Sequence, residues 1–379
     1  MRVSTVALSL DVFCSAILED MAKEYDVGIV ATESELLREV GRKTGASAHA
    51  VEMKRQIALW SDLKALLKMW RLLRREKPLC VHSLTPKAGL IAMLASCLAG
   101  VKVRVHTFTG LLFPTAKGWR RQAFRLSDWM ICKCATHVIA EGQGVKDDLV
   151  RGVRPNKDVK ILGNGNVRGV DLNHYSLAAL AIGDARRGRV ELGIVDNGVI
   201  FLYVGRFSID KGIREMLQAF RLFCQRGHKG MLVMAGSRPD EDEILEGEIR
   251  EIAPRWVTVL PWQQDVRWLY AMADCLVLPS RREGFPNVVL EAGAMGLPCI
   301  VTDVNGSREI IHSGVNGYVA PVNDYEAMAR LMAAIASSRK MRRDMGANAR
   351  AAVAQKFEAK FVRNCQMEFY AEILDKMQA

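Results

Sequence analysis

Six consecutive apolar residues, Val199-Ile-Phe-Leu-Tyr-Val204, constrain the fold of this chain more than any other stretch. An apolar run without alternation suits a strand buried on both faces, the kind found in a parallel sheet covered by helices. Shorter runs recur at 231–235, 257–260, 275–278 and 299–302, with helix-like segments between them, the first over 213–226. The first half alternates in the same way. Strands are expected at 3–8, 27–31, 79–83, 102–107 and 136–141, with a further extended piece at 159–162. Helices are expected at 13–24, 57–75, 88–99 and 144–151, which leaves Ser9-Leu10-Asp11-Val12 as the first strand-to-helix loop. Such alternation in both halves predicts an α/β chain of two Rossmann-like, doubly wound domains. At 379 residues the chain is long enough for each to have its own core.

The glycine and asparagine cluster Gly163-Asn-Gly-Asn-Val-Arg-Gly169 reads as the hinge between them. Domains are therefore expected at 1–168 and 169–356, followed by a long amphipathic helix within 357–379.

Composition excludes several classes. The longest apolar stretch, 88–101, has 14 residues, too short to span a bilayer, and no leader-like apolar region develops after Arg2. Nine cysteines without a Cys-x-x-Cys pair argue for reduced thiols in the cytoplasm. Charge is uneven. Residues 1–170 hold 27 basic and 16 acidic side chains, a net +11, whereas 171–379 hold 26 of each. Within 54–125 there are 15 basic and 2 acidic residues, so that region is expected to meet something anionic. Trp119 and Phe124 lie there, with Trp129 just beyond, among or beside arginines, a mixture suited to an anionic membrane surface. A helix with its charges in water fits the same stretch. A single-stranded nucleic acid ranks lower, because no nucleic-acid module surrounds it.

The candidate site begins where the run Cys275–Leu278 ends at Pro279-Ser280. Glu283 follows in the loop; Pro286 suits a helix start and Gly296 with Pro298 a helix end, so Glu291 falls within a helix. Glu291 is then roughly 7 Å past Pro286, and both carboxylates can face a ligand at an anion-attracting helix N-terminus. Spacing alone is weak, since Glu243 and Glu251 share it. A second loop, Gly205-Arg206-Phe-Ser-Ile-Asp-Lys211-Gly212, leaves the C-terminal edge of another strand and carries a guanidinium fork and an ammonium suited to phosphate oxygens.

Together the two loops resemble the Glu-x7-Glu and diphosphate-binding segments of retaining glycosyltransferases with the GT-B fold, in family 4. Asn166 to Asp171 is similar to the segment joining that family's domains, although Arg168 stands where an Asn is common. The resemblance implies two facing domains, a terminal helix crossing back onto the first, and a nucleotide-sugar donor, expected to be UDP-linked, on the second. It implies donor contacts from Gly205, Arg206, Lys211, Glu283, Gly284, Phe285, Pro286, Asn287, Val288 and Glu291. Glu291 would accept from ribose hydroxyls and Glu283 from the donor sugar, while Arg206 and Lys211 stabilise the leaving diphosphate. His106, at a strand end of the first domain, is a further catalytic candidate by the same resemblance, although Thr107 stands where an Asp is common. The family's glycine-bearing first loop has no counterpart at Ser9–Val12.

The implied reaction moves a hexose or N-acetylhexosamine to a glycan or polyprenyl-diphosphate-linked acceptor in bacterial polysaccharide assembly, at the inner face of the plasma membrane. No cofactor is expected. Asp240-Glu-Asp242 has the form of a metal-binding string, but it sits in an acidic stretch that reads as solvated helix, so no metal is expected either. The carboxylate pair could also serve a glycosidase, which would not need Arg206 and Lys211. Two other readings stay open: a nucleotide-sugar epimerase of related fold, and a non-enzymatic basic protein binding membrane surfaces or nucleic acid.

Overall fold

The structure, a computed structural model, describes residues 1–54, 58–180, 184–192, 198–237 and 256–375. Ile57, the acidic string from Asp240 to Asp242, and the pair Glu243 and Glu251 lie outside these residues. The chain forms two units, Met1–Gly169 with Lys360–Ala379, and Val170–Ala359.

The first unit is built on strands β1 (Arg2–Val3), β2 (Gly28–Ala31), β3 (Ser47–Ala50), β4 (Cys80–Ser83), β5 (Val103–Phe108), β6 (His137–Ala140) and β7 (Val159–Lys160). They form one sheet in the order β3-β2-β1-β4-β5-β6-β7, parallel throughout. The second unit holds β8 (Val199–Val204), β9 (Gly230–Ala235), β10 (Val257–Leu260), β11 (Cys275–Leu278), β12 (Cys299–Thr302) and β13 (Gly317–Ala320), in the order β10-β9-β8-β11-β12-β13, again all parallel. The GT-B class of α/β architecture, with two parallel-sheet domains, is thus present. Its core logic is visible in β8, where Ile200 to Tyr203 are completely buried between helices on both faces.

Both sheets reverse direction of growth beside their first strand. Such a switch point leaves a crevice at the carboxyl ends of the strands, where ligands of open α/β sheets bind. In the second unit the crevice lies between the loops after β8 and β11, and in the first between those after β1 and β4.

The first loop is not where the sequence placed it. The strand ends at Val3 and the helix Ala7–Met21 already contains Ser9-Leu10-Asp11-Val12. Leu10, Cys14, Ile17 and Leu18 are buried at helical spacing, which outweighs the β-like run of residues 3–8. The true loop is Ser4-Thr5-Val6, and Thr5 Oγ1 lies 2.8 Å from Thr85 Oγ1 in the loop after β4.

The terminal helix Ala359–Asp375 packs on the first sheet. Its Tyr370 hydroxyl is hydrogen-bonded to His82 Nδ1, and Gln366 Oε1 accepts from the buried Arg2 guanidinium at 3.0 Å. Among the described residues no helix is long and apolar enough to cross a membrane.

Candidate active site

The loop after β8 is shaped by its own backbone. Tyr203, fully buried, donates its hydroxyl to Arg206 O at 2.6 Å, and burial together with the Glu283 and Asp210 carboxylates raises its pKa. Residues Ile209–Lys211 form a 3₁₀ turn ended by Gly212 at φ +67°. A methyl group on Gly212 would fall 2.0 Å from Pro279 O, so glycine is what lets this loop touch the one after β11. Arg281 N donates to Asp210 O at 2.9 Å across the same junction.

Contact between the loops brings Lys211 onto Glu283, with Nζ 2.6 Å from Oε1 and side chains only 19% and 11% exposed. Ser280 Oγ donates to the same oxygen at 2.5 Å. Arg206 is more open, at 59% side-chain exposure, and stands 3.7 Å from Asp210 Oδ2. Burial pushes the Asp210 carboxyl up, but the Ser208 hydroxyl, Arg206, Lys211 and Arg282 outweigh it and leave it below its ordinary value. Arg281 turns away to pair with Glu215.

Pro286 is the N-cap of the helix Asn287–Ala294, one position earlier than the first turn, and Gly296 follows the helix at φ +75°. Phe285 is buried against Phe357, ring centroids 5.3 Å apart, which fixes the chain just before the helix. The first N–H groups of a helix lack intrahelical partners, so Asn287 and Val288 carry the donors that begin this one. Glu291 is buried and accepts from Tyr270 OH at 3.0 Å; burial, then the Glu291 carboxylate, raises that phenol's pKa. Gly306, after β12, packs against the backbone from Gly284 to Pro286.

The second unit therefore gathers Gly205, Arg206, Lys211 and Glu283 to Pro286 on adjoining loops, with Asn287 and Val288 opening the helix and Glu291 one turn further along it. His106 belongs to the first unit. Its ring is 1% exposed, bonded to Ser83 Oγ at 2.8 Å, edge-on to Phe108, and so close to Gly89 that a methyl there would overlap it. Burial lowers its pKa to about 3, so the ring is neutral at ordinary pH. Ser280, Tyr270 and Gly306 were not singled out by sequence, and each acts through a residue that was.

The comparisons follow the same two-unit division. The family model described as glycosyl transferases group 1 matches residues 184–352, and the glycosyl transferase 4-like domain matches residues 12–165. Capsular polysaccharide biosynthesis glycosyltransferase CapM of Staphylococcus aureus is 31% identical over 343 residues, covering 90% of this chain and 88% of that protein. This chain belongs to the group 1 glycosyltransferases. A UDP-Gal:alpha-D-GlcNAc-diphosphoundecaprenol alpha-1,3-galactosyltransferase of Escherichia coli is 26% identical, covering 80% of this chain and 78% of its own. Among solved structures, Anabaena HepE in complex with UDP and glucose superposes with TM-score 0.81 at 18% identity, covering 98% of both chains, and so bears on the fold of this glycosyltransferase. The same holds for a sucrose-phosphate synthase from Thermosynechococcus elongatus, with TM-score 0.81 at 18% identity over 99% of each chain.

Proposed function

We propose that this glycosyltransferase is a retaining enzyme that moves a hexose or N-acetylhexosamine from a UDP-sugar to a lipid-linked glycan in bacterial polysaccharide biosynthesis. The observation that carries the reading is the Lys211–Glu283 contact at the switch point of the second sheet, which sets phosphate-seeking cations beside a carboxylate suited to sugar hydroxyls. As the glycosidic bond breaks, negative charge grows on the diphosphate, and Arg206 and Lys211 supply positive charge fixed nearby. That supply makes a divalent metal unnecessary in this reading. Glu291, held by Tyr270, takes the ribose hydroxyls, and Glu283 takes the donor sugar. The names of the Staphylococcus and Escherichia relatives support a polysaccharide pathway and a diphosphoundecaprenol-linked acceptor.

The first unit supports an acceptor held at an anionic membrane surface. In the helix Leu59–Glu76, Ala65, Met69, Leu72 and Leu73 face the core. The opposite side exposes Trp60, Leu63 and Leu67 alongside Lys64, Lys68 and Arg71, with Trp60 at 81%. The helix Gly118–Cys134 exposes Trp119, Leu126 and Trp129, with Lys133 Nζ 4.8 Å from the Trp129 ring centre. Large apolar groups beside cations suit headgroup and acyl boundary together, each cation contributing about 1 kcal/mol near anionic lipid.

The test is UDP release from a panel of UDP-sugars with and without a polyprenyl-diphosphate-linked saccharide, with and without chelator, and with the product's anomeric configuration read by NMR. Acceptor-dependent release from one donor, insensitive to chelator and retaining the donor's configuration, is expected. Release without acceptor alongside conversion to an epimeric sugar would favour an epimerase, and an inverted product would overturn retention.

A further inference from the structure

We propose that Ser280 is a positioning residue that holds Glu283 for the donor sugar while Lys211 serves the diphosphate. The inference rests on the roles given above to Glu283 and Lys211. Ser280 follows β11 and Pro279 and is completely buried. Its backbone oxygen accepts from Thr302 Oγ1, which anchors the residue to β12. Its hydroxyl has one proton, and a carboxylate can only accept, so the 2.5 Å contact is a donation from Ser280 to Glu283 Oε1.

The pattern on the carboxylate is asymmetric. Lys211 Nζ also donates to Oε1, at 2.6 Å, and among the described residues Oε2 accepts no hydrogen bond. Two donors on one oxygen orient a side chain that otherwise rotates about three bonds, and they leave Oε2 as the acceptor for a ligand hydroxyl. The two donors differ in one respect. An ammonium attracted to a bound diphosphate shifts part of its hydrogen bonding there, whereas a buried serine fixed through its backbone has nowhere to move. Ser280 therefore keeps Glu283 in place through donor binding, when Lys211 is drawn toward the phosphates.

The test compares wild type, Ser280→Ala, Glu283→Ala and the double variant in UDP affinity, kcat and Tm. Ser280→Ala is expected to keep UDP affinity and Tm close to wild type, about twofold at most in affinity, and to lower kcat roughly 10- to 100-fold. In the Glu283→Ala background the serine substitution is expected to cost nothing further, because its effect passes through that carboxylate. Wild-type kcat in Ser280→Ala, or a further equal loss in the double variant, would overturn the inference. Loss of UDP affinity, kcat and Tm together would make Ser280 a folding residue instead. Undiminished turnover in Glu283→Ala would remove the reading beneath it, an outcome distinguishable from failure of Ser280→Ala alone.

Discussion

Gly306 provides the sharpest test of how the site is held. It sits at φ +70° and ψ −49°, and Ser307 N donates to Asn305 O at 2.8 Å across it, the geometry of a γ-turn that side-chain-bearing residues adopt only under strain. A methyl group there would lie 2.3 Å from Gly284 O, 2.6 Å from Phe285 Cα and 2.9 Å from Pro286 Cδ. Ordinary contact begins at 3.4 Å, so the first of these demands about 1 Å of movement from backbone atoms. Backbone strain of about 1–3 kcal/mol and overpacking of similar size put the cost of Gly306→Ala at about 3 kcal/mol or more. For a domain of about 150–250 residues that corresponds to a fall in Tm of roughly 6–12 °C. Movement of residues 284–286 by about 1 Å also displaces Glu283 and the start of the Glu291 helix, an error worth about 10²-fold in turnover. The control is Gly314→Ala, at φ +83° with open space around it, which carries backbone strain without a clash. Thermal unfolding and donor turnover of both variants decide the matter. If Gly306→Ala matches Gly314→Ala in Tm and kcat, the packing argument is refuted.

Three further outcomes are expected. Glu291→Ala weakens UDP binding by tenfold or more while turnover at saturating donor falls less, and Tyr270→Phe shifts affinity in the same direction by a smaller factor; titration calorimetry checks both. His106 has a folded pKa of about 3 against an ordinary 6.5, so the unfolded chain takes up the proton first. The stability it contributes is present above about pH 6.5 and lost as pH falls toward 3, by about 2 kcal/mol at pH 5, so His106→Asn should flatten the slope of denaturant stability between pH 6.5 and 5. Sedimentation with vesicles should show binding to anionic but not zwitterionic lipid, reduced by salt and by joint substitution of Lys64, Lys68 and Arg71 with Ala; salt-insensitive binding would refute the electrostatic part.

Much of this was legible in sequence, for physical reasons that differ by element. β8 and β11 announced themselves because a strand covered on both faces has no polar positions to break the run. β3, Ser47-Ala-His-Ala50, lies at a sheet edge and is partly exposed, so nothing apolar marks it. The start of the helix at Ala7 was hidden because its N-cap, Val6, gives no side-chain hydrogen bond. Glu283, Arg206 and Lys211 stood out because charge in a loop after a buried strand is conspicuous, and Glu291 because a carboxylate interrupts an otherwise apolar helix. Ser280 read as a strand terminator, Tyr270 as one more apolar helix residue, and Gly306 as one glycine of 30, because their roles depend on contacts made across the fold.

Those contacts also assign different duties to the two cations. In the structure the cations pair with carboxylates: Arg206 and Arg282 with Asp210 at 3.7 and 3.8 Å, Lys211 with Glu283 at 2.6 Å, and Arg281 with Glu215. A diphosphate must compete for them. The long, half-exposed pairs on Asp210 are worth about 0–1 kcal/mol, so Arg206 leaves its partner at little cost and its fork is free for phosphate. The Lys211–Glu283 pair is short and largely buried, and stripping the lysine away would leave a carboxylate with poorer compensation. Lys211 has three N–H donors and can keep one on Glu283 while turning another toward phosphate, which would couple the position of the diphosphate to that of the carboxylate proposed to take the donor sugar. Loss of Arg206 should therefore fall mainly on donor affinity. Loss of Lys211 should fall mainly on turnover, by about 10²- to 10³-fold, because it removes both the charge at the leaving group and one of the two anchors of Glu283.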